Sequence, residues 1–562
     1  MEVHLGAWAF LQRISEDRGN GVIARLYLAA LLSLAAAPAL AQPPALERRG
    51  NAIHLVVDGR PFLILGGELA NSSASSRAHM APIWPRLRAM GLNAVLAPVS
   101  WELIEPVEGR MDFASVDALI EDARANDLRL VLLWFGAWKN SMSSYAPAWV
   151  KRDTARFARV RGPDGSPMEI LSSFDPDVLA ADARAFTALM AHLRQVDGAR
   201  RTILMVQVEN EVGMIPTARE HGPAADAAFA APVPRALTDW LVAHRTALAT
   251  PLRTLWESNG ARRNGSWRDV FGEGDAADEV FTAWSYARYV ETVAAAGKAQ
   301  NRLPMYVNAA LARPGRRPGD YPSGGPLAHL FDVWRAGAPS IDLLAPDIYF
   351  PNFGEISASY AAFNPLFIPE AQHAGDPRIP ADAWLAFGRH RAIGFSPFSI
   401  DSLSGAEADR LGATYRLIGS IAPLLLEAQR EGRSVGFAPM VAFDGTVDDA
   451  PQTATLGGYR FTVTFIDPWT PRGQQRPGEH GGLILQTGPE DFLFAGEGIT
   501  VTVAPADGRG AAGIDSAWEG RFEGGAWTSG RLLNGDETHQ GRHIRLPPSG
   551  PTLQRVRLYR YR

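Results

Sequence analysis

Between about residues 50 and 435, eight short apolar runs alternate with amphipathic helical patterns, and this alternation constrains the fold more than any other feature. The runs are PFLILGGEL (61–69), GLNAVLAPV (91–99), LRLVLLWFG (128–136), TILMVQVEN (202–210), PMYVNAAL (304–311), IDLLAPDIYF (341–350), LFIPEA (366–371) and AIGFSPFSI (392–400). Each is long enough for a buried strand and too short for a core helix. Segments such as ASVDALIEDARAND (114–127) and ADARAFTALMAHLRQV (181–196) carry the helical period between them. Strand–helix–strand alternation implies parallel strands with crossover helices. Eight such units predict an α/β fold, a (β/α)8 TIM barrel, with chemistry at the C-terminal strand ends. An open doubly wound sheet is the alternative, but no glycine-rich phosphate turn follows the first run.

Past about residue 436 the texture changes. YRFTVTFIDP, GGLILQTG, DFLFAGEGITVTVAP and LQRVRLYRYR are short alternating strands between Gly- and Asp-rich turns. They predict a C-terminal all-β sandwich. The expected organisation is a barrel over 42–435 and a β-sandwich over 436–562. No internal repeat of fixed period is visible.

The first 41 residues form a third region. RLYLAALLSLAAAPALAQ holds Arg25, an apolar run and Ala39-Leu40-Ala41 before Gln42. That is the pattern of a signal peptide with a cleavage site, so the mature chain is expected to start at Gln42 and to be periplasmic or secreted. The run is too short and alanine-rich to span a membrane well, and no later segment reaches transmembrane length, so no integral membrane segment is expected. The stretch ahead of Arg25 is long for a basic leader region and leaves the true start codon open.

Composition removes several function classes. The chain has no cysteine, which excludes disulfides, thiolate nucleophiles and Cys-ligated metals. A formal net charge of −5 gives no electrostatic case for nucleic acid. The twelve His do not cluster at ligand spacing. His373, three residues after Glu370, reads as a solvent-facing loop residue, and no metal or cofactor is implied.

Chemistry concentrates at two strand ends. In ILMVQVENEVG (203–213), a core run ends in Glu209-Asn210-Glu211. Strand alternation predicts that Gln207, Glu209 and Glu211 share one face. If that face is the barrel interior, Glu211 stands over the pocket with the other two beneath it. The competing reading is an ion-pair network plugging the barrel mouth. The second carboxylate is Glu370, ending the seventh run across the same mouth. Two carboxyls flanking one pocket are the machinery of glycoside hydrolysis: one protonates the leaving oxygen, the other attacks the anomeric carbon or activates water.

QVENEVG resembles the signature of family 35 glycoside hydrolases, the β-galactosidases with their acid/base and nucleophile on strands four and seven. GGELANSS, MGLNAVLAPVSWELIEPVEGRMDF and YAPAWVK resemble further motifs of that family, so the similarity runs through most of residues 60–400. The tail, with DFLFAGEGITVTV, resembles the β-domain behind the barrel in a bacterial branch of these enzymes. By this resemblance Glu211 is the acid/base and Glu370 the nucleophile. Asn210 would bind the sugar 2-hydroxyl, and Tyr349 would donate to Glu370. Trp138, Lys139 and Asn140 fall where the family has sugar-contacting residues, with Asn140 in place of a family Glu. Glu102 and Ile104 in WELIEP depart from the family's Asn and His towards family 42. Trp101 and Glu105 are candidates for substrate contact, a structural salt bridge by Glu105 being the alternative. The implied activity is retaining, exo-acting release of terminal β-D-galactose from an oligo- or polysaccharide. Another retaining β-glycosidase (a β-glucosidase or agar-type galactanase) and a catalytically inactive carbohydrate-binding protein are the alternatives. The sequence leaves the oligomeric state open.

Overall fold

The structure of the protein, a computed structural model, describes residues 42–562. The leader read in residues 1–41 lies outside the described residues.

Eight parallel strands close into a barrel: β1 (Ile64–Leu65), β2 (Ala94–Ser100), β3 (Arg129–Lys139), β4 (Ile203–Asn210), β5 (Met305–Ala310), β6 (Leu343–Ile348), β7 (Phe367–Ile368 and Glu370–Ala371) and β8 (Gly394–Phe395). Strands β2 to β6 form a continuous parallel ladder that ends on Glu370–Ala371 of β7. Phe367–Ile368 pairs with β8, and β8 with β1. A parallel bridge from Glu68 to Leu96 completes the circle. All eight predicted runs are barrel strands. One of them, β7, is more irregular than its run suggests, because Pro369 interrupts it and no proline can donate to a ladder.

The interior is filled by Leu96, Val131, Leu133, Phe135, Tyr306, Leu343 and Phe367. These include β-branched and aromatic residues that the strand runs supplied on alternate positions. An antiparallel N-terminal sheet (Ala45–Arg49, Ala52–Val57, Arg60–Phe62) adds Leu55 and Val57 to the same cluster and plugs the barrel from the N-terminal side. Outside, helices cover the strands. Among them α1 (Pro176–Asp197) starts with a side-chain cap from Asp175 and Pro176 at its first position. It packs along α2 (Asp275–Gln300).

The C-terminal part is a sandwich of a six-stranded and a four-stranded antiparallel sheet. Ile484, Phe492, Phe494, Phe461 and Val501 fill the space between the sheets. The opposite face of the six-stranded sheet is buried as well. There Leu483, Leu485 and Leu493 join the apolar cluster of the barrel helices α3 (Ile379–Gly388) and α4 (Gly405–Glu431). One hydrophobic mass therefore runs from barrel to sandwich, and Pro43–Arg562 form one compact unit. Among the described residues no helix is long and apolar enough to cross a membrane.

Candidate active site

The end of β4 departs from strand geometry. Gln207 is inward, in register with Leu133 and Tyr306. Glu209 and Glu211 then take positive φ values of 60° and 45°. Left-handed steps at non-glycine residues are strained and break the two-residue alternation. The Glu209 carboxyl consequently turns to the backbone N–H of Trp138, which donates to it at 2.8 Å, and to Asp182 on α1. Asp182 also accepts from Trp134 Nε1 and Tyr289 Oη, each at 2.9 Å. Burial and the neighbouring Asp182 push Glu209 well up. The shared inward face expected for Gln207, Glu209 and Glu211 is thus corrected: Glu209 braces the barrel wall against α1.

The same two steps deliver Glu211 to the carboxyl cluster at the strand ends. Its backbone N–H donates to Asn308 Oδ1 at 3.0 Å, and its carboxylate accepts from Asn140 Nδ2. Asn308 Nδ2 in turn donates to Asp347 Oδ2 at 2.6 Å. Asp347 and Glu370 are register partners on β6 and β7. Tyr349, just past β6, donates its hydroxyl to Glu370 Oε2 at 2.5 Å. One oxygen each from Glu211, Asp347 and Glu370 lie within 4.8 Å of one another. Carboxyls this close cannot all be ionised. Burial first, and then the Glu370 charge, raise Glu211 to about 7 and Asp347 well above the usual range. The buried Lys139 ammonium opposes both shifts and is the cation that the chain itself supplies here. Asn210 is fully buried, and among the described residues neither of its amide atoms has a partner. The arrangement offers two carboxyls disposed to hold a proton, a third that accepts from a phenol, and an unengaged amide.

The structure brings Glu211, Glu370, Tyr349, Asn140, Lys139 and Asn210 to one strand-end cluster. Trp138, Trp101 and Glu105 stand elsewhere. Trp138 is fully buried against Tyr286 and Tyr289 of α2, its Nε1 donating to the Leu171 carbonyl at 3.1 Å. Trp101 packs edge-on against Trp149 and donates to Glu105 at 3.0 Å. Glu105 accepts further from Gly109 N and Arg184, the salt-bridge alternative. All three have their polar atoms engaged away from the carboxyl cluster. His373 is exposed at the rim, its ring edge-on to Tyr349. Sequence reading missed Asp347, Asn308 and Glu68. Asp347 had a signal: it precedes Tyr349 by two in the same run, hence on the same face. Asn308 is the lone polar residue of its run. Glu68 stands inside the GGELANSS segment, whose resemblance gives it no role.

Residues 54–238 match the sequence model of Glycosyl hydrolases family 35, and residues 411–545 match a Domain of unknown function (DUF5597). Over 198 residues the chain is 30% identical to a beta-galactosidase of Xanthomonas manihotis. That stretch is 34% of this chain and spans only 30% of the relative's length. Among solved structures, the beta-galactosidase of the psychrophilic Marinomonas ef1 aligns with a TM-score of 0.45 at 13% identity, covering 67% of this chain and 62% of that one. The beta-galactosidase of Bacillus circulans sp. alkalophilus aligns with a TM-score of 0.45 at 15% identity, covering 65% and 57%. The sequence match contains β1 to β4 and Glu211, whereas Tyr349 and Glu370 lie beyond it. Through the first half of its barrel, this chain is similar in sequence to glycosyl hydrolases family 35.

Proposed function

We propose that the protein is a retaining, exo-acting β-glycoside hydrolase that releases terminal β-D-galactose from oligo- or polysaccharides. The observation that carries the mechanism is the approach of Glu211 and Glu370, whose nearest oxygens lie within 4.8 Å. Direct attack by a carboxylate needs carboxyl groups about 5 to 5.5 Å apart, while an inverting enzyme keeps about 6.5 to 9.5 Å for a water. Glu370 attacks the anomeric carbon as the glycosidic bond breaks, and Glu211 gives its proton to the departing oxygen. Once Glu370 is esterified its charge is gone, so Glu211 loses the repulsion that held it protonated. It then takes a proton from water, which attacks the same carbon and frees Glu370. Asn210 is free to bind the sugar 2-hydroxyl, a contact that tightens in the transition state. Glu211 and Glu370 are only 5% and 3% exposed, which supports a pocket for a chain end rather than an open groove.

Galactose as the glycone is supported by the family 35 match, and export by the leader pattern. A different retaining β-glycosidase specificity is the second reading, favoured by Asn140 where the family has Glu. The test is proton NMR of the first product formed from aryl β-galactoside and β-glucoside. Appearance of β-galactose before mutarotation is expected. An α-anomer first, or turnover of the glucoside alone, overturns the mechanism or the glycone respectively.

A further inference from the structure

Glu68 sits where β1 ends, and no donor reaches its carboxyl among the described residues. Its backbone is clamped: its N–H donates to the Pro397 carbonyl at 2.9 Å, and its carbonyl accepts from Ile400 N at 3.0 Å. It bridges to inward-facing Leu96 on one side and to Phe398 on the other. The side chain therefore points into the barrel, where it is 0% exposed. The groups that face it are Glu370 on β7, Lys139 on β3, Glu211 after β4, Tyr306 on β5, Asp347 on β6 and Tyr349 after it. Of these the Glu370 carboxyl is within hydrogen-bonding reach.

Two lacks coincide at that contact. Both Glu68 oxygens are buried without a donor, and so is Glu370 Oε1, the oxygen that Tyr349 leaves free. A buried ionised carboxylate with no donor is strongly disfavoured, whereas a carboxylic acid beside a carboxylate satisfies both with one proton. Burial and the Glu370 charge act in the same direction on Glu68, pushing it well up.

We propose that Glu68 is a positioning residue for this reaction, a carboxylic acid that donates its proton in a hydrogen bond to Glu370 Oε1 and so tunes the nucleophile as a leaving group. The hydrogen bond draws charge from Glu370. In the second half-reaction the ester C–O bond to the anomeric carbon breaks, the electron pair returns to Glu370, and Glu68 stabilises the returning charge. Removing the donor slows release of the sugar more than its attachment.

The kinetic arm rests on the glycosidase reading, and a second arm does not. For the first, Glu68→Leu and Glu68→Gln are compared with wild type on an aryl β-galactoside with a good leaving group. Glu68→Leu is expected to lose about a hundredfold in kcat. Its KM should fall and a burst of aglycone appear, as the glycosyl-enzyme accumulates. Glu68→Gln keeps a donor and should stay within about fivefold of wild type. Unchanged kcat in Glu68→Leu, or equal loss in Glu68→Gln with its melting temperature preserved, overturns the proposal. For the second arm, the infrared band of a protonated carboxyl at neutral pH is expected in wild type and lost in Glu68→Gln. Absence of that difference also overturns it, whether or not the protein cleaves any glycoside.

Discussion

Glu211 is where charge state and activity meet most directly. Burial and the Glu370 charge raise its carboxyl to about 7. The acid form persists below that value, so kcat/KM on a glycoside with a poor leaving group is expected to fall as pH rises through about 7. With an activated aryl leaving group the dependence should flatten. On such a substrate, Glu211→Ala is expected to lose far less than Glu370→Ala, and added azide should yield a β-glycosyl azide from the former. An α-azide, or rescue of Glu370→Ala instead, reverses the two roles. Stability gives an independent check. A carboxyl raised in the fold binds its proton more tightly there than in the unfolded chain, so folding loses free energy as pH climbs from the ordinary Glu value towards 7. Glu211→Gln removes that loss. It is expected to gain stability over wild type by on the order of 3 kcal/mol above pH 7, and little below about pH 4. Urea titrations at several pH values measure it, and a pH-independent difference contradicts the shift.

Elements contribute through how closely their backbones meet. At the join of α3 with the strand Ser434–Phe437, Gly388 and Gly436 touch main chain to main chain. A Cβ on Gly436 would lie 2.6 Å from the Trp384 carbonyl oxygen and 2.8 Å from Arg389 N, neither of which can swing aside. Gly436→Ala is therefore expected to cost about 1 to 3 kcal/mol by overpacking. None of the atoms that the new Cβ would meet belongs to the carboxyl cluster, so kcat on a small aryl glycoside should be unchanged. A wild-type urea midpoint would show that the join is looser than described. The strands themselves were readable as apolar runs, because burial on both faces leaves little room for polar residues. Their ends were not. The left-handed steps at Glu209 and Glu211 follow no sequence period, and they send Glu209 to Asp182, outside the barrel.

For the whole molecule, the six-stranded sheet is the decisive structure. Its residues alternate between two covered faces, Ile484 and Phe494 towards the sandwich core, Leu483, Leu485 and Leu493 towards α3 and α4. Ending the chain near residue 435 would bare the helix side of that contact. Such a truncated barrel is expected to be insoluble or to melt well below the full chain, and a soluble barrel of unchanged melting temperature would refute the shared core. The exported form is expected to begin near Gln42, on the Ala39-Leu40-Ala41 pattern. N-terminal sequencing of protein recovered outside the cytoplasm checks this, and an intact Met1 there would contradict it.

The alternation of runs and helices, the switch of texture near residue 436, and the placement of Glu211 and Glu370 at strand ends were determined by the sequence alone. These features follow from local periodicity and from the rule that catalytic groups gather where barrel strands end. Only the tertiary structure decided which polar residues meet. Trp101, Trp138 and Glu105 occupy positions that the motifs favour, yet neighbouring helices and loops claim their polar atoms. Asp347, Asn308 and Glu68 carry no motif role, yet the closure of eight strands brings them around Glu211 and Glu370. The physical reason is that periodicity acts over a few residues along the chain. The free energy of a buried carboxyl, by contrast, depends on what lies within a few ångströms, and those neighbours come from different strands, well separated along the chain.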